Sequence, residues 1–105
     1  MKMTKQDMPE TMYRASRCCR VLGNPTAYRI LRFLDTKRKT LTQVSQALRL
    51  SLPAVSFTMR ELRNVDLVRY ETKGITKEYW VKDPKVLEIL STLEAWVKSM
   101  RKKCR

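Results

Sequence analysis

Apolar residues recur with helical spacing at both ends of the chain. One stripe runs from Met8 to Leu22 and another from Val86 to Met100, each alternating steps of four and three. This alternation places side chains on one face of an α-helix. It predicts a first helix over about residues 9–22 and a last helix that opens at Asp83-Pro84 and runs to about residue 100. Residues 1–7 are polar and expected to fray, and residues 101–105 are expected to form a basic tail.

Three further helices are predicted from start and stop signals. Gly23 suits the residue that follows a helix and Pro25 the first turn of the next, so a second helix is expected over residues 25–34. Thr40 and Ser51 are N-cap types, which predicts a third helix from about residue 41 and a fourth over 51–63, with Pro53 in its first turn. The residues expected to face inward in these helices are Ile30, Leu31, Leu34, Val44, Ala47, Leu48, Val55, Met59 and Leu62.

A β-hairpin is predicted directly after the fourth helix. Residues 68–72 and 76–81 carry strand-forming side chains and are joined at Lys73-Gly74, where glycine permits a positive φ. Residues 35–39 are interpreted as a polar, basic loop. The order α-α-α-α-β-β-α, with two short helices meeting near Leu50 before a lysine-rich hairpin, is that of a winged helix-turn-helix. We therefore predict a single, mainly α domain over residues 1–105, with its wing over 68–82.

The charge of the chain indicates a polyanionic partner. Twenty-three Lys and Arg residues oppose ten Asp and Glu, and the net charge of +13 is spread along the whole length. A folded basic domain of this kind is typical of nucleic-acid binders; a solvated basic surface and an acidic protein partner are the alternatives. No apolar run approaches the roughly 20 residues that span a bilayer, and the N-terminus shows no signal-peptide core, so no membrane association is expected.

The inventory of reactive side chains argues against an enzyme. The chain has no histidine, which removes the commonest general base and the commonest metal ligand. Its two glycines, Gly23 and Gly74, are too few for a glycine-rich phosphate loop. The adjacent Cys18 and Cys19 are too close for a relaxed disulfide, so a reducing cytoplasm is the expected location. No cofactor is predicted.

The outward face of the fourth helix is the predicted DNA-reading surface. Serine and threonine hydroxyls can bond to base edges or phosphates, and alanine or phenylalanine can contact a thymine methyl group. Phe57 is expected either to pack on DNA or to fold back against the wing. Basic wing residues are expected to follow the minor groove or its phosphates, although plain solubility explains them equally well. The predicted DNA-binding residues are Ser51, Leu52, Ala54, Ser56, Phe57, Thr58, Arg60, Arg63, Arg69, Lys73 and Lys77.

Two segments resemble motifs of the ArsR (arsenical-resistance repressor) family. Residues 19–34, Cys-Arg-Val-Leu-Gly-Asn-Pro-Thr-Ala-Tyr-Arg-Ile-Leu-Arg-Phe-Leu, are similar to its Ala-Leu-Ala-Asp-Pro-Thr-Arg-x-Arg-Ile-Leu segment. Residues 51–62, Ser-Leu-Pro-Ala-Val-Ser-Phe-Thr-Met-Arg-Glu-Leu, resemble its Ser-x-Pro-Thr-Val-Ser recognition helix, and residues 64–68 resemble its entry into the wing. The likeness covers roughly residues 15–100. It implies a dimeric winged-helix repressor that releases its operator when an inducer binds.

The resemblance also points to the positions of the family's metal sites, where this chain lacks the ligands. The cysteine pair that some members carry in the third helix falls on Thr40 and Thr42, which cannot replace thiolates for a soft ion. The last helix, where other members carry carboxylates and histidines, has Asp83, Glu88 and Glu94 but no histidine. We therefore expect no zinc or nickel site.

The first and last helices are predicted to pair across a twofold axis, because one small domain has too little core to cover both stripes. The alternative is a helix packed only on its own monomer. Cys18, Cys19 and Cys104 would lie near that interface, where three thiolates could hold a trivalent arsenical or two could oxidise; Cys19 also fits a buried structural cysteine. The predicted interface residues are Met8, Met12, Ala15, Cys19, Val86, Leu90, Leu93, Val97 and Met100.

Three function classes remain open from the sequence. The leading hypothesis is a homodimeric, sequence-specific repressor that binds a double-stranded DNA operator, with a small-molecule or thiol-reactive inducer as a further partner. The second is a nonspecific architectural nucleic-acid-binding protein, which the diffuse charge would suit. The third is a winged-helix module used for protein contacts, which the apolar Leu52 and Phe57 on the outer face would suit.

Overall fold

Five helices and a small three-stranded sheet form the fold of residues 8–103. The computed structural model describes the backbone of residues 8–103 and the side chains of residues 8–100, so the expectations for residues 1–7 and for Cys104 lie outside the described part. The predicted winged helix-turn-helix is confirmed, and three residues of the expected C-terminal tail are helical. The elements are α1 (Glu10–Leu22), α2 (Pro25–Leu34), β1 (Lys39–Thr40), α3 (Leu41–Leu48), α4 (Leu52–Asn64), β2 (Val68–Lys73), β3 (Thr76–Val81) and α5 (Lys85–Lys103).

Side-chain caps begin three of the helices. Thr40 and Gln43 form a capping box at α3: the Thr40 hydroxyl accepts from the Gln43 N–H at 3.1 Å, and the Gln43 side chain accepts from the Thr40 N–H at 2.9 Å. The Ser51 hydroxyl accepts from the Ala54 N–H at 3.2 Å, so both predicted caps are confirmed. At α2 the cap is Asn24, whose side-chain oxygen accepts from two backbone N–H groups. These polar residues satisfy N–H groups that have no partner within the helix.

The sheet contains one strand that the sequence analysis did not predict. Its order is β1-β3-β2, and Lys39 pairs with Tyr79 while Thr40 pairs with Glu78. Residues 35–39, interpreted as a loop, therefore end in a strand of two residues, which is too short to show an alternating pattern. The predicted hairpin is confirmed: β2 and β3 are joined through Gly74 and Ile75, and Gly74 has a φ of +62°.

The core lies between α2, α3, α4, the sheet and the first turns of α5. All but one of the residues expected to face inward in α2, α3 and α4 are buried or pack against the core. The exception is Ala47, which is exposed; the wrong expectation followed from its apolar character, whereas Val44 and Leu48 supply the inward face of α3. The buried apolar residues are Ala27, Ile30, Leu31, Leu34, Val44, Val55, Met59, Leu62, Val68, Tyr79, Val81, Val86, Leu87 and Leu90.

A polar cluster ties the middle of α5 to α2. The Tyr28 hydroxyl donates to Glu94 Oε2 at 2.6 Å, and Arg32 Nε donates to the same oxygen at 3.0 Å. A second guanidinium nitrogen of Arg32 donates to Ser91 Oγ at 3.0 Å. The hydrogen bonds from Arg32 and then Tyr28 hold the pKa of the Glu94 carboxyl below its usual value. Beyond Leu90, this cluster fixes the direction in which α5 leaves the core.

The Glu94 contact predicts an acid-dependent contribution to stability. A carboxyl whose folded pKa is lowered stabilises the fold above its unfolded pKa of about 4.3, and this contribution is lost as the pH falls through the lower folded value. Glu94→Gln is therefore expected to lower the free energy of unfolding at pH 7 and to approach the wild type below about pH 4. Urea unfolding followed by circular dichroism at several pH values tests this. Glu88→Gln, an exposed change on the same helix, is the control, and a Glu94 effect that persists unchanged in acid would contradict the assignment.

Candidate nucleic-acid interface

The turn between α3 and α4 sets the position of the fourth helix. Arg49 adopts the left-handed conformation, with φ 59° and ψ 47°, which costs a residue with a side chain about 1–2 kcal/mol. The Leu50 N–H donates to the Ser45 carbonyl at 3.0 Å, and the Ser45 hydroxyl donates to the Leu50 carbonyl at 2.5 Å. The Leu50 side chain packs against the core. Two hydrogen bonds and one apolar contact thus hold this tight turn.

Helix α4 buries one face and exposes the opposite one. Its buried residues are Val55, Thr58, Met59 and Leu62, which follow the i, i+3, i+4, i+7 spacing of a single helical face. On the opposite side an exposed crest runs along the helix. The exposed residues of this crest are Pro53, Phe57, Arg60 and Asn64.

The expectation that Thr58 faces outward is wrong. Thr58 is only 7% exposed, and it lies on the side of α4 that faces α1 and α2. The reason is geometric: Thr58 lies three residues after buried Val55 and four before buried Leu62, so it falls inside the buried arc whatever its polarity. The other predicted residues of this helix reach the surface to different extents. Ser51, Leu52, Phe57, Arg60 and Arg63 are exposed, whereas Ala54 and Ser56 are half-buried on the flanks.

Phe57 lies on the crest beside the junction of α1 and α2. It is 57% exposed and shares a surface cavity of about 200 Å³ with residues of those helices, among them Val21 and Ala27. The wing contacts α4 on another side, through Arg63. The alternative in which Phe57 folds back against the wing is therefore wrong. Contact with DNA, the other expectation for this side chain, stays a prediction.

The hairpin has two chemically different faces. Its outer face carries Glu71 and Glu78, which pair across the strands. Arg38 reaches Glu71 with a guanidinium-to-carboxylate distance of 2.5 Å and lies over the Trp80 ring at 3.9 Å from its centroid. The hydrogen bond from Arg38 lowers the pKa of the Glu71 carboxyl. This face is thus occupied by internal ion pairs.

Two of the three predicted wing contacts belong to that outer face. Lys73 Nζ lies 3.6 Å from a Glu78 carboxylate oxygen, and Arg69 Nε lies 3.8 Å from an Asp66 carboxylate oxygen. The third, Lys77, is opposite Thr72 on the inner face and has no carboxylate on that face of the described hairpin. The structure therefore separates Lys77 from Arg69 and Lys73, which the sequence analysis had grouped together.

The inner face of the hairpin carries an aromatic residue that the sequence analysis missed. Tyr70 packs on Tyr79 with ring centroids 5.4 Å apart, and it has Arg63 and Lys77 each 4.8 Å from its centroid. Tyr79 is buried, and burial raises the pKa of its hydroxyl. The two-residue period of β2, which places Tyr70 on the same side as buried Val68, could have revealed this position. Ile75, at the tip of the hairpin, is also exposed and was also missed.

The apolar stripe of α5 is divided between the core and the surface. Val86 and Leu90, predicted for a dimer interface, are 7% and 0% exposed and belong to the core, so that part of the prediction is wrong. The exposed apolar residues of α5 form a separate stripe, rotated around the helix from Val86 and Leu90, in which Ile89, Leu93, Trp96 and Met100 follow each other at steps of four, three and four. On α1 no residue of the described helix is buried; Met12, Ala15 and Cys19 are exposed, and Met8 before it is half-buried. The exposed apolar residues of α5 are Ile89, Leu93, Trp96, Val97 and Met100.

Comparison with known proteins agrees with this geometry. Residues 22–71 match the family model described as a helix-turn-helix domain. No curated protein matches the chain significantly in sequence. Among solved structures, the fold is similar to Mb0332 from Mycobacterium bovis, described as a homodimeric winged helix-turn-helix DNA-binding domain of a possible ArsR-family transcriptional regulator. That match has 16% identity and a TM-score of 0.80, and it covers 90% of this chain and 87% of the other.

Two further solved structures are similar in fold. HlyU from Vibrio cholerae is 24% identical, with a TM-score of 0.75 over 82% of this chain and 97% of that one. NolR from Sinorhizobium fredii is 22% identical, with a TM-score of 0.76 over 90% of this chain and 94% of that one. The chain carries a helix-turn-helix domain with a winged-helix fold. The fold that the resemblance in the sequence implies is confirmed.

The two described cysteines lie on different sides of α1. Cys18 is half-buried, and its thiol donates to the Val65 carbonyl at 3.8 Å, whereas Cys19 is exposed. Because Cys104 lies outside the described residues, a sensor built from the three thiols stays a prediction. Within the described residues no cluster of three or more His, Cys, Asp or Glu side chains could hold a metal ion. None of the described helices has the length and apolar character needed to cross a membrane.

The two sides of α4 predict opposite results for two substitutions. Thr58→Val removes a buried hydroxyl and is expected to change affinity for duplex DNA by less than about twofold, because no base can reach the side chain. Arg60→Gln removes an exposed charge from the crest and is expected to weaken binding by about fivefold or more. Fluorescence anisotropy with a labelled duplex of about 30 bp measures both. A loss at Thr58 as large as that at Arg60, with thermal stability unchanged, would contradict this orientation of α4.

Proposed function

We propose that the chain is a dimeric, sequence-specific transcriptional repressor of ArsR type, which reads the major groove with α4 and contacts the DNA backbone with wing residues 68–82. The observation that carries this proposal is the set of exposed cations on α4 and on the neighbouring inner face of the hairpin. Arg60, Arg63 and Lys77 belong to this set, and the net charge of the chain is +13. A basic surface around an exposed helix suits the major groove of duplex DNA.

The contacts divide into reading and positioning roles. Phe57 and the flanking Ser56 are the side chains suited to base edges, since an aromatic ring can contact a thymine methyl group and a hydroxyl can exchange hydrogen bonds with bases. Arg60, Arg63 and Lys77 are suited to phosphates, which position the protein on the duplex. The outer-face Arg69 and Lys73 take a smaller part, because carboxylates of the protein already lie beside them.

The exposed apolar residues of α1 and α5 support the proposed dimer. Ile89 and Trp96 are 53% and 60% exposed and belong to one apolar stripe. Contiguous exposed apolar surface of this kind is typical of an interaction site. The radius of gyration is 15.7 Å, whereas a compact domain of this length has about 13 Å. The structurally similar Mb0332 domain is homodimeric. We propose that a second copy covers these helices, which places two recognition helices about 34–36 Å apart on one face of the duplex.

The proposed interface predicts the effect of a charge on the exposed stripe. Leu93→Glu is expected to shift the protein to monomers and to weaken DNA binding by about 100-fold, because one recognition helix then binds without the other. Ala95→Glu, on an exposed part of α5 away from the stripe, is the matched control and should remain dimeric. Analytical ultracentrifugation gives the oligomeric state and anisotropy gives the affinity. A monomeric wild type, or a Leu93→Glu variant that stays dimeric, would rule out this interface.

Selection of bound sites from random duplexes tests the proposed function itself. We expect a defined site with twofold symmetry and half-sites about one helical turn apart. Enrichment of no site, with similar affinity for unrelated duplexes, would instead identify the nonspecific architectural binder; the absence of any binding at low salt would favour a protein-contact module. Running the selection reduced, oxidised and with arsenite tests whether thiols control binding. The inducer and the cytoplasmic location stay predictions.

A further inference from the structure

We propose that Arg63, Tyr70 and Lys77 form a phosphate clamp between α4 and the wing, in which the Tyr70 ring positions two cations on the sugar-phosphate backbone of duplex DNA. This inference rests on the proposed function, since it names the backbone contact that joins the recognition helix to the wing. Tyr70 is a positioning residue in this arrangement, and the two basic side chains make the contact.

Three separate elements contribute to the clamp. Arg63 comes from the last turn of α4, Tyr70 from β2 and Lys77 from β3, and both cationic groups lie 4.8 Å from the ring centroid. Cations within about 6 Å of an aromatic centroid are attracted by the ring. In the hairpin register Tyr70 is opposite Tyr79, and Lys77 is its diagonal neighbour. Buried Tyr79 therefore packs against the ring from the neighbouring strand, and the strand pairing places Lys77 beside it as well.

The charges of the clamp are not neutralised within the protein. Five ion pairs connect the described side chains, and neither Arg63 nor Lys77 takes part in any of them. The carboxylates of the hairpin, Glu71 and Glu78, lie on its opposite face. An aromatic ring attracts cations but does not remove their charge, so two like charges remain beside one ring in the free protein. The sugar-phosphate backbone of DNA supplies the missing negative charge. In a complex in which α4 occupies the major groove, this backbone borders the groove next to the helix.

Four variants of the full chain separate this clamp from a general loss of charge. Lys77→Gln removes one cation from the inner face, and Lys73→Gln removes the same charge from the outer face of the same hairpin. Tyr70→Leu removes the ring but keeps an apolar side chain, and Tyr70→Phe keeps the ring. Affinity is measured by anisotropy across a range of salt concentrations, on a labelled mixed-sequence duplex of about 30 bp and on a selected site. Thermal unfolding of each variant checks that the fold is kept.

The salt dependence distinguishes the outcomes. Each phosphate contact contributes about 0.9 to the slope of log affinity against log salt. We expect Lys77→Gln to reduce the slope by about 0.9 per protomer and Lys73→Gln by less than half of that. Tyr70→Leu should weaken binding about fivefold on both duplexes and reduce the slope, whereas Tyr70→Phe should stay within about twofold of the wild type.

Two results would overturn the clamp while leaving the proposed function intact. One is an equal change of slope for Lys77→Gln and Lys73→Gln. The other is a Tyr70→Leu variant that binds with the wild-type slope and affinity. A wild-type protein that binds neither duplex at low salt would overturn the proposed function itself, and the clamp with it.

Discussion

The burial of one face of α4 is the constraint on which the rest of this structure depends. Val55, Thr58, Met59 and Leu62 are held in the core, and the turn at Arg49 determines where the helix enters it. With 3.6 residues per turn, burying these four side chains leaves Phe57 and Arg60 on the opposite crest. A substitution that rotated α4 about its axis would therefore expose a different set of side chains. Core packing thus determines which chemical groups α4 presents to a partner.

The alternation of side chains between the two faces of the hairpin determines where its charged groups lie. Successive residues of β2 and β3 point to opposite faces, so the register alone separates Glu71 and Glu78 from Tyr70 and Tyr79. The outer face contains its own counterions through Arg38 and Lys73. The inner face keeps its cations unneutralised beside α4. Within the hairpin, the pairing of the strands thus separates the cations that have carboxylate partners from Lys77.

Much of the fold could be predicted because its signals are local. The caps at Thr40 and Ser51, the turn at Gly74 and the helical stripes each depend on a few neighbouring residues, and the structure contains them all. The short strand β1 could not be predicted, because its two residues are ordered by pairing with β3 far along the chain.

The errors in the site have a common physical cause. Periodicity identifies the apolar arc of a helix but not what covers each part of it. On α5 the arc is wide, and tertiary packing assigns Val86 and Leu90 to the core while Leu93 and Trp96 remain exposed. Thr58 shows the converse error, since a polar residue was placed outside although the spacing from Val55 puts it inside.

The bond between Glu94 and the α2 side chains Tyr28 and Arg32 has a mechanical consequence for a twofold assembly. It couples the long terminal helix to the rigid body that holds α4, so a tilt where two copies meet would be transmitted without being absorbed in a flexible joint. If each recognition helix is about 17 Å from the symmetry axis, a rotation of about 10° displaces it by about 3 Å. That displacement is close to the rise of one base pair, about 3.4 Å. In the proposed dimer, a small change in angle at the subunit contact would therefore be enough to put both helices out of phase with the groove.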